Sequence, residues 1–247
     1  MIAWAVAGID WRLLVVAALV VMIGAAVQAT VGIGLGMLAA PVLGLIDEAF
    51  LPTVIIIVVI PLSAAVAWRE RNGIAWDDVG VAFIGRIPGV TLGALMLSVI
   101  SARALQLIVA VLVLAAVYAT SGRLRFRTTR RNLLIAGTAS GLFGTAAGVG
   151  GPPIALTYQR SDPAVLRPTL AAFFTIGSVM SLTALGVAGE IDRHRVALGA
   201  LMLPAVIAGL VLSGPVIARL PQRAVRTGIL VLCTVSAIAL GIRGIIS

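Results

Sequence analysis

A chain of 247 residues that is 61% hydrophobic and only 11% charged, with a mean hydropathy of +1.16, has too little polar surface to stay in solution as a soluble domain. Its net charge of +9 would suit a nucleic-acid binder, but the distribution of that charge excludes one: five of the 18 basic residues, Arg123, Arg125, Arg127, Arg130 and Arg131, crowd into one short polar connection. That is the positive-inside signal of a cytoplasmic loop between membrane spans, so the expected partners are a lipid bilayer and no nucleic acid.

The opening has no basic leader and no clear cleavage site, and the first helix is therefore expected to be retained. Apolar blocks follow at Leu13 to Ile46, Ala49 to Trp68, Val79 to Ile100, Ala104 to Ser121, Asn132 to Gln159, Thr169 to Gly189, Val196 to Ala218 and Ala224 to Ile242. Most have the roughly 20 residues that a helix needs to cross a hydrocarbon core. None alternates as a barrel strand would. The expected fold is all-α and polytopic, with about eight spans, or ten segments if broken helices are counted separately. Trp4, Trp11, Trp68 and Trp76 lie at block ends, where aromatic side chains anchor the interface.

The first block is uncharged for 34 residues. As one helix it would be about 51 Å long, too long for an ordinary span. The glycines of GIGLG, Gly32 to Gly36, supply the break, giving a helix from Leu13 to Ala29 and a shorter piece to Ile46. The fifth block repeats the plan, with a helix from Asn132, a GVGGPP turn at Gly148 to Pro153 and a short piece to Gln159. A shift of 116 positions places Gly32 on Gly148, Gly34 on Gly150, Pro52 on Pro168, Pro88 on Pro204, Gly93 on Gly209 and Ala102-Arg103 on Ala218-Arg219, with no gap. The chain therefore reads as a tandem duplication: a first repeat over residues 1–121, an arginine-rich connection over 122–131 and a second repeat over 132–247. If each broken block crosses once, there are eight spans with cytoplasmic termini. If each short piece makes its own crossing, the halves are inverted and the termini lie outside. Both arrangements keep the five-arginine loop in the cytoplasm, so charge does not choose between them.

Paired interruptions in corresponding hydrophobic segments are a pointer to a transporter's binding site at the midplane. Together with GVGGPP in the second half, GIGLG and Pro41 in the first, and a helix start at Pro88-Gly89, the duplication resembles the sulfite exporter TauE/SafE family over essentially the whole chain. Where that family commonly continues its glycine run, this chain has Pro152. The resemblance implies a multi-pass transporter of the cell inner membrane for a small anion, sulfite or an organosulfonate.

A small oxyanion leaving water needs fixed donors, and amides freed at a helix break supply them. The candidate substrate-binding residues are Gly32, Gly34 and Gly36 facing Gly148, Gly150 and Gly151, with Gln28, Thr30 and Thr145 as nearby side-chain donors. Close helix packing is the alternative role for these glycines, and the favoured one for Gly93 and Gly209. Arg86 is the only charge well inside a block, either a functional cation or a side chain reaching back to Asp77 or Asp78. Thr91 and Thr175 are expected to bond back to their own helices.

All nine acidic residues and the single His194 fall in loops or at block ends, which leaves no carrier for proton coupling and favours a uniporter. Cys233 is the only cysteine, and no metal or cofactor is expected. A membrane enzyme would have to rest on His194 with Asp192, since HExxH and a lysine-bearing phosphate loop are both missing. An accessory subunit would leave two broken helices unexplained. Assembly as a homo-oligomer is compatible with the sequence.

Overall fold

The computed structural model describes residues 9–120, 126–159, 161–214 and 222–246. Trp4, Arg123, Arg125 and the pair Ala218-Arg219 lie outside the described residues. Within them the chain is helical: α1 (Trp11–Val31), α2 (Leu35–Ile46), α3 (Thr53–Arg69), α4 (Trp76–Leu97), α5 (Ala102–Tyr118), α6 (Arg130–Ala147), α7 (Gly151–Thr157), α8 (Pro163–Val187), α9 (Arg193–Ser213) and α10 (Gln222–Ile246). Five of these, α1, α4, α8, α9 and residues Thr227–Ile246 of α10, are long and apolar enough to cross a membrane. The protein is a multi-pass membrane protein.

Polar residues between the blocks start helices. The Asp10, Asp162 and Asp192 carboxylates accept from the amides of Arg12, Ala164 and Arg195, and the Ser101 and Thr129 hydroxyls from those of Ala104 and Asn132. Asp192, the one acid beside His194, is thus occupied as a helix cap.

Both long blocks break where the glycines predict. Gly32 ends α1 at φ 93° and Gly148 ends α6 at φ 73°, left-handed conformations that a side chain would strain. The chain then turns back on itself. Leu35 lies against Gly24, eleven residues earlier, and its amide donates to the Gln28 side chain. In the second half the Ser140 hydroxyl donates to the Gly150 carbonyl at 2.6 Å, and the Thr128 hydroxyl to the Thr157 carbonyl at 2.6 Å. The end of α7 has therefore returned to the level at which α6 begins. The breaks are hairpins, not kinks in a continuing rod.

Pro152 and Pro153 lie inside the first turn of α7, not in the turn before it. Proline is tolerated there because its missing N–H belongs to the group left unbonded at any helix start. Pro88 likewise corrects an expectation, for it does not start a helix: α4 runs through it from Trp76 to Leu97. A proline frees one carbonyl a turn earlier, and inside a packed membrane bundle neighbouring helices make such a break tolerable.

The tightest packing joins α4 to α6. Gly85 meets the backbone of Leu134, Gly89 that of Thr138 and Gly93 that of Leu142, so the two helices run parallel with glycine every fourth residue along the seam. Methyl groups at Gly85 and Gly89 would collide with the Leu134 and Thr138 carbonyls. Small residues at this spacing let helix backbones touch, and van der Waals contact drives association in lipid. In the second half Gly209 on α9 lies in the same way against Met22 and Ala26 of α1. Gly93 and Gly209 are therefore packing positions, as expected.

Candidate functional site

The tips of the two hairpins meet. Gly36, at the start of α2, lies against the backbone of Gly148 and Val149, and Gly151 faces Ile33. Between the tips is a cavity with a water-accessible volume of about 40 Å³, room for roughly three waters. Of the candidate residues, Gln28, Gly34, Gly36, Arg86, Gly148, Gly150 and Gly151 line it.

Gly32, Thr30 and Thr145 do not. Gly32 sits behind the tip against Leu166 and Arg167. The Thr30 hydroxyl donates to the carbonyls of Ala26 and Val27 in its own helix. Thr30 and Gln28 are two residues apart, about 200° around a helix, so they face opposite ways. Thr145 is fully buried, its hydroxyl 2.8 Å from that of Ser181. Thr91 and Thr175 bond back to Ile87 and Ala171 of their own helices.

Arg86 is the exceptional residue. It is 3% exposed, on the α4 seam, and has no acidic partner among the described residues. It does not reach back to Asp78, whose carboxylate instead accepts from the Tyr158 hydroxyl at 2.7 Å. Its guanidinium donates to the Ser140 hydroxyl at 3.0 Å and to the Ser181 hydroxyl at 3.3 Å, and lies 5.0 Å from the centre of the Phe173 ring. The Nε–H has no partner.

Glycines make the slot this side chain occupies. Methyl groups at Gly141 and Gly144 would crowd its Cγ and one terminal nitrogen, and one at Gly177 would collide with Nε. The serines that hold it are themselves held: Ser140 donates to Gly150, and Ser181 to Gly177 in its own helix. A buried guanidinium keeps its charge and carries five N–H donors, so this is a fixed positive group beside a small wet space.

The two hairpins do not contribute equally. In the first turn of α2, Leu35 gives its amide to Gln28 Oε1, whose Nε2 in turn donates to Ser63. The amides of Gly36 and Met37 belong to the same turn, which has no intrahelical partner for them, and both residues line the cavity. The positions 116 residues later are Pro152 and Pro153, which have no N–H to offer. Sequence reasoning expected freed amides at both breaks. The structure keeps the amides of Gly36 and Met37 at α2 and those of Gly150 and Gly151 at α7, and brings Arg86 to the same cavity.

Arg86 and Gln28 were visible in the sequence as polar residues inside apolar blocks. Ser140, Ser178, Ser181, Phe173 and Gly177 were not, because isolated serines and glycines are common in membrane helices and their sequence distances from Arg86 conceal the contact.

Comparison with known proteins places the chain in a family. A probable sulfite/organosulfonate exporter TauE of Cupriavidus necator is 28% identical over 191 residues, covering 73% of this chain and 75% of that protein. No solved structure matches. The profile of the family described as sulfite exporter TauE/SafE matches residues 16–240, nearly the whole apolar part of the chain, and the protein belongs to that family.

Proposed function

We propose that the protein exports sulfite or an organosulfonate across the cell inner membrane, binding the anion between the two hairpin tips. The observation that carries this reading is Arg86, a buried cation without an acidic partner among the described residues, lining the same cavity as the first-turn residues Gly36 and Met37 of α2. An uncompensated charge at this depth is unfavourable in the empty protein, and an anion is its natural complement. Dipole and amides at the start of α2 add to the same preference. Family membership and the name of the Cupriavidus relative point to sulfur oxyanions among such anions.

In this reading the halves are inverted repeats, residues 1–121 and 132–247, and the ten helices make ten passes or part-passes. Support comes from the hairpin reversal at each break, which turns α2 and α7 back along α1 and α6 as five passes per half require. The arginine-rich connection between α5 and α6 then faces the cytoplasm and both termini face outward. None of the described cavity-lining residues is acidic or a histidine, which favours uniport: an interior-negative potential promotes anion exit by about 2.3 kcal/mol per charge per 100 mV.

The test is flux of labelled sulfite and methanesulfonate from liposomes holding the purified protein, with potential and proton gradient set independently. Saturable, potential-driven flux without a proton gradient is expected. Flux that needs an imposed proton gradient refutes uniport, and no flux from folded protein refutes the export reading.

A further inference from the structure

The single charge of the cavity sets the charge of its occupant. Among the described residues that line it, Arg86 is the only ionisable one. The helices around Arg86 bring no second charge: α6 carries only Arg130 and Arg131 in its first turn, α8 only Arg167, which is bonded to Glu70, and α7 none. On α4 itself the acids are Asp77 and Asp78 in the first turn, Asp78 holding Tyr158.

Duplication has not supplied a second cation either. The residue 116 positions beyond Arg86 is Met202, buried and apolar, and the amides that Gly36 and Met37 offer are deleted in the other half by Pro152 and Pro153. The cation is thus present once among the described lining residues, while Gly150 and Gly151 add amides that carry no formal charge.

Resting on the export reading above, we propose that the site is selective for singly charged oxyanions: it takes sulfite as bisulfite and organosulfonates with one charge, and rejects sulfate, thiosulfate and the sulfite dianion. A monoanion beside Arg86 makes a net-neutral occupied cavity. A dianion leaves one uncompensated negative charge among buried apolar side chains such as Ile55, Ile56 and Phe174, where charge is strongly disfavoured. Bisulfite and a sulfonate also share a compact SO₃ head with one negative charge, so one site serves both by the same donors.

The experiment uses the full-length protein in anaerobic liposomes at clamped potential, with flux through protein-free liposomes subtracted. Probes are methanesulfonate, whose charge does not change near neutrality, sulfate, and sulfite at fixed total concentration below saturation. The second ionisation of sulfurous acid falls near neutrality, so between about pH 6 and about pH 8 sulfite flux should fall roughly seven- to tenfold with the bisulfite fraction. Methanesulfonate flux should stay level, and sulfate should neither cross nor compete. Sulfate carried as fast as methanesulfonate, or sulfite flux that holds or rises with pH, overturns the charge selectivity while leaving anion export in place. Absence of flux for every probe, from protein whose thermal melt shows it folded, overturns the export reading and this inference with it.

Discussion

Replacing Arg86 with methionine, the residue found 116 positions further along the chain, separates the site from the scaffold. The substitution removes charged hydrogen bonds to Ser140 and Ser181, each worth about 1.5–3 kcal/mol, and a contact with Phe173 worth about 0.5–2 kcal/mol. Against that loss, it removes an arginine from the middle of a span, unfavourable by about 2.5–3.5 kcal/mol. Neither serine is orphaned, because Ser140 retains its bond to Gly150 and Ser181 its bonds to Gly177 and Thr145. The loss of about 3.5–8 kcal/mol is only partly offset, so stability in detergent should fall by between about 0 and about 5 kcal/mol. Anion affinity should fall as well. Truncating one partner of a buried charge pair costs about 2–5 kcal/mol, or about 30-fold to about 5,000-fold. Concentration-dependent flux in liposomes reads the affinity, and a thermal melt of the same sample reads the fold. A variant that melts normally and transports with unchanged half-saturation would refute the assignment of Arg86 to the anion.

Gly89→Val should lower thermal stability by about 1–3 kcal/mol or more, since even a methyl at this position collides with the Thr138 carbonyl across the α4–α6 seam. A melting temperature equal to that of the parent would contradict the seam. Thr30→Val should leave transport within about twofold of the parent, because its hydroxyl is spent within α1 and lies away from the cavity, and a large loss of flux would return Thr30 to the site. Topology is open to cysteine labelling after Cys233→Ala: Ala188→Cys, at the exposed end of α8, should react with an impermeant reagent from outside, and Asn72→Cys, before α4, only from the cytoplasm. Ala188→Cys that reacts only from the cytoplasm would refute outward-facing termini.

The helices, both breaks and their hairpin glycines could be read from the chain because each rests on local physics: length of apolar run, glycine at the left-handed positions Gly32 and Gly148, and side-chain caps such as Asp162. Pro88 misled for the same reason. Locally it marks a helix start, and only the neighbours of α4 make an uninterrupted helix tolerable there. Thr30 could have been set aside from the sequence, since its helical phase opposes that of Gln28. The choice between a kinked rod and a returning hairpin was not local. It depends on contacts such as Thr128 with Thr157, which charge distribution does not report. The surroundings of Arg86 were equally hidden, being assembled from residues 54 and 95 positions away.

The way the two halves interlock bears on how the protein is made. α6 of the second half packs along α4 of the first, while α1 waits for α9, and the Met22–Gly209 contact spans 187 residues. At about 5–20 residues per second, synthesis leaves α1 without that partner for roughly 10–40 s. During this interval the small-residue face of α1, with Ala25 and Ala26, is open to lipid or to the insertion machinery, and neither half can complete its packing alone. Separately synthesised halves should therefore be unstable individually and recover one another when present together in one membrane.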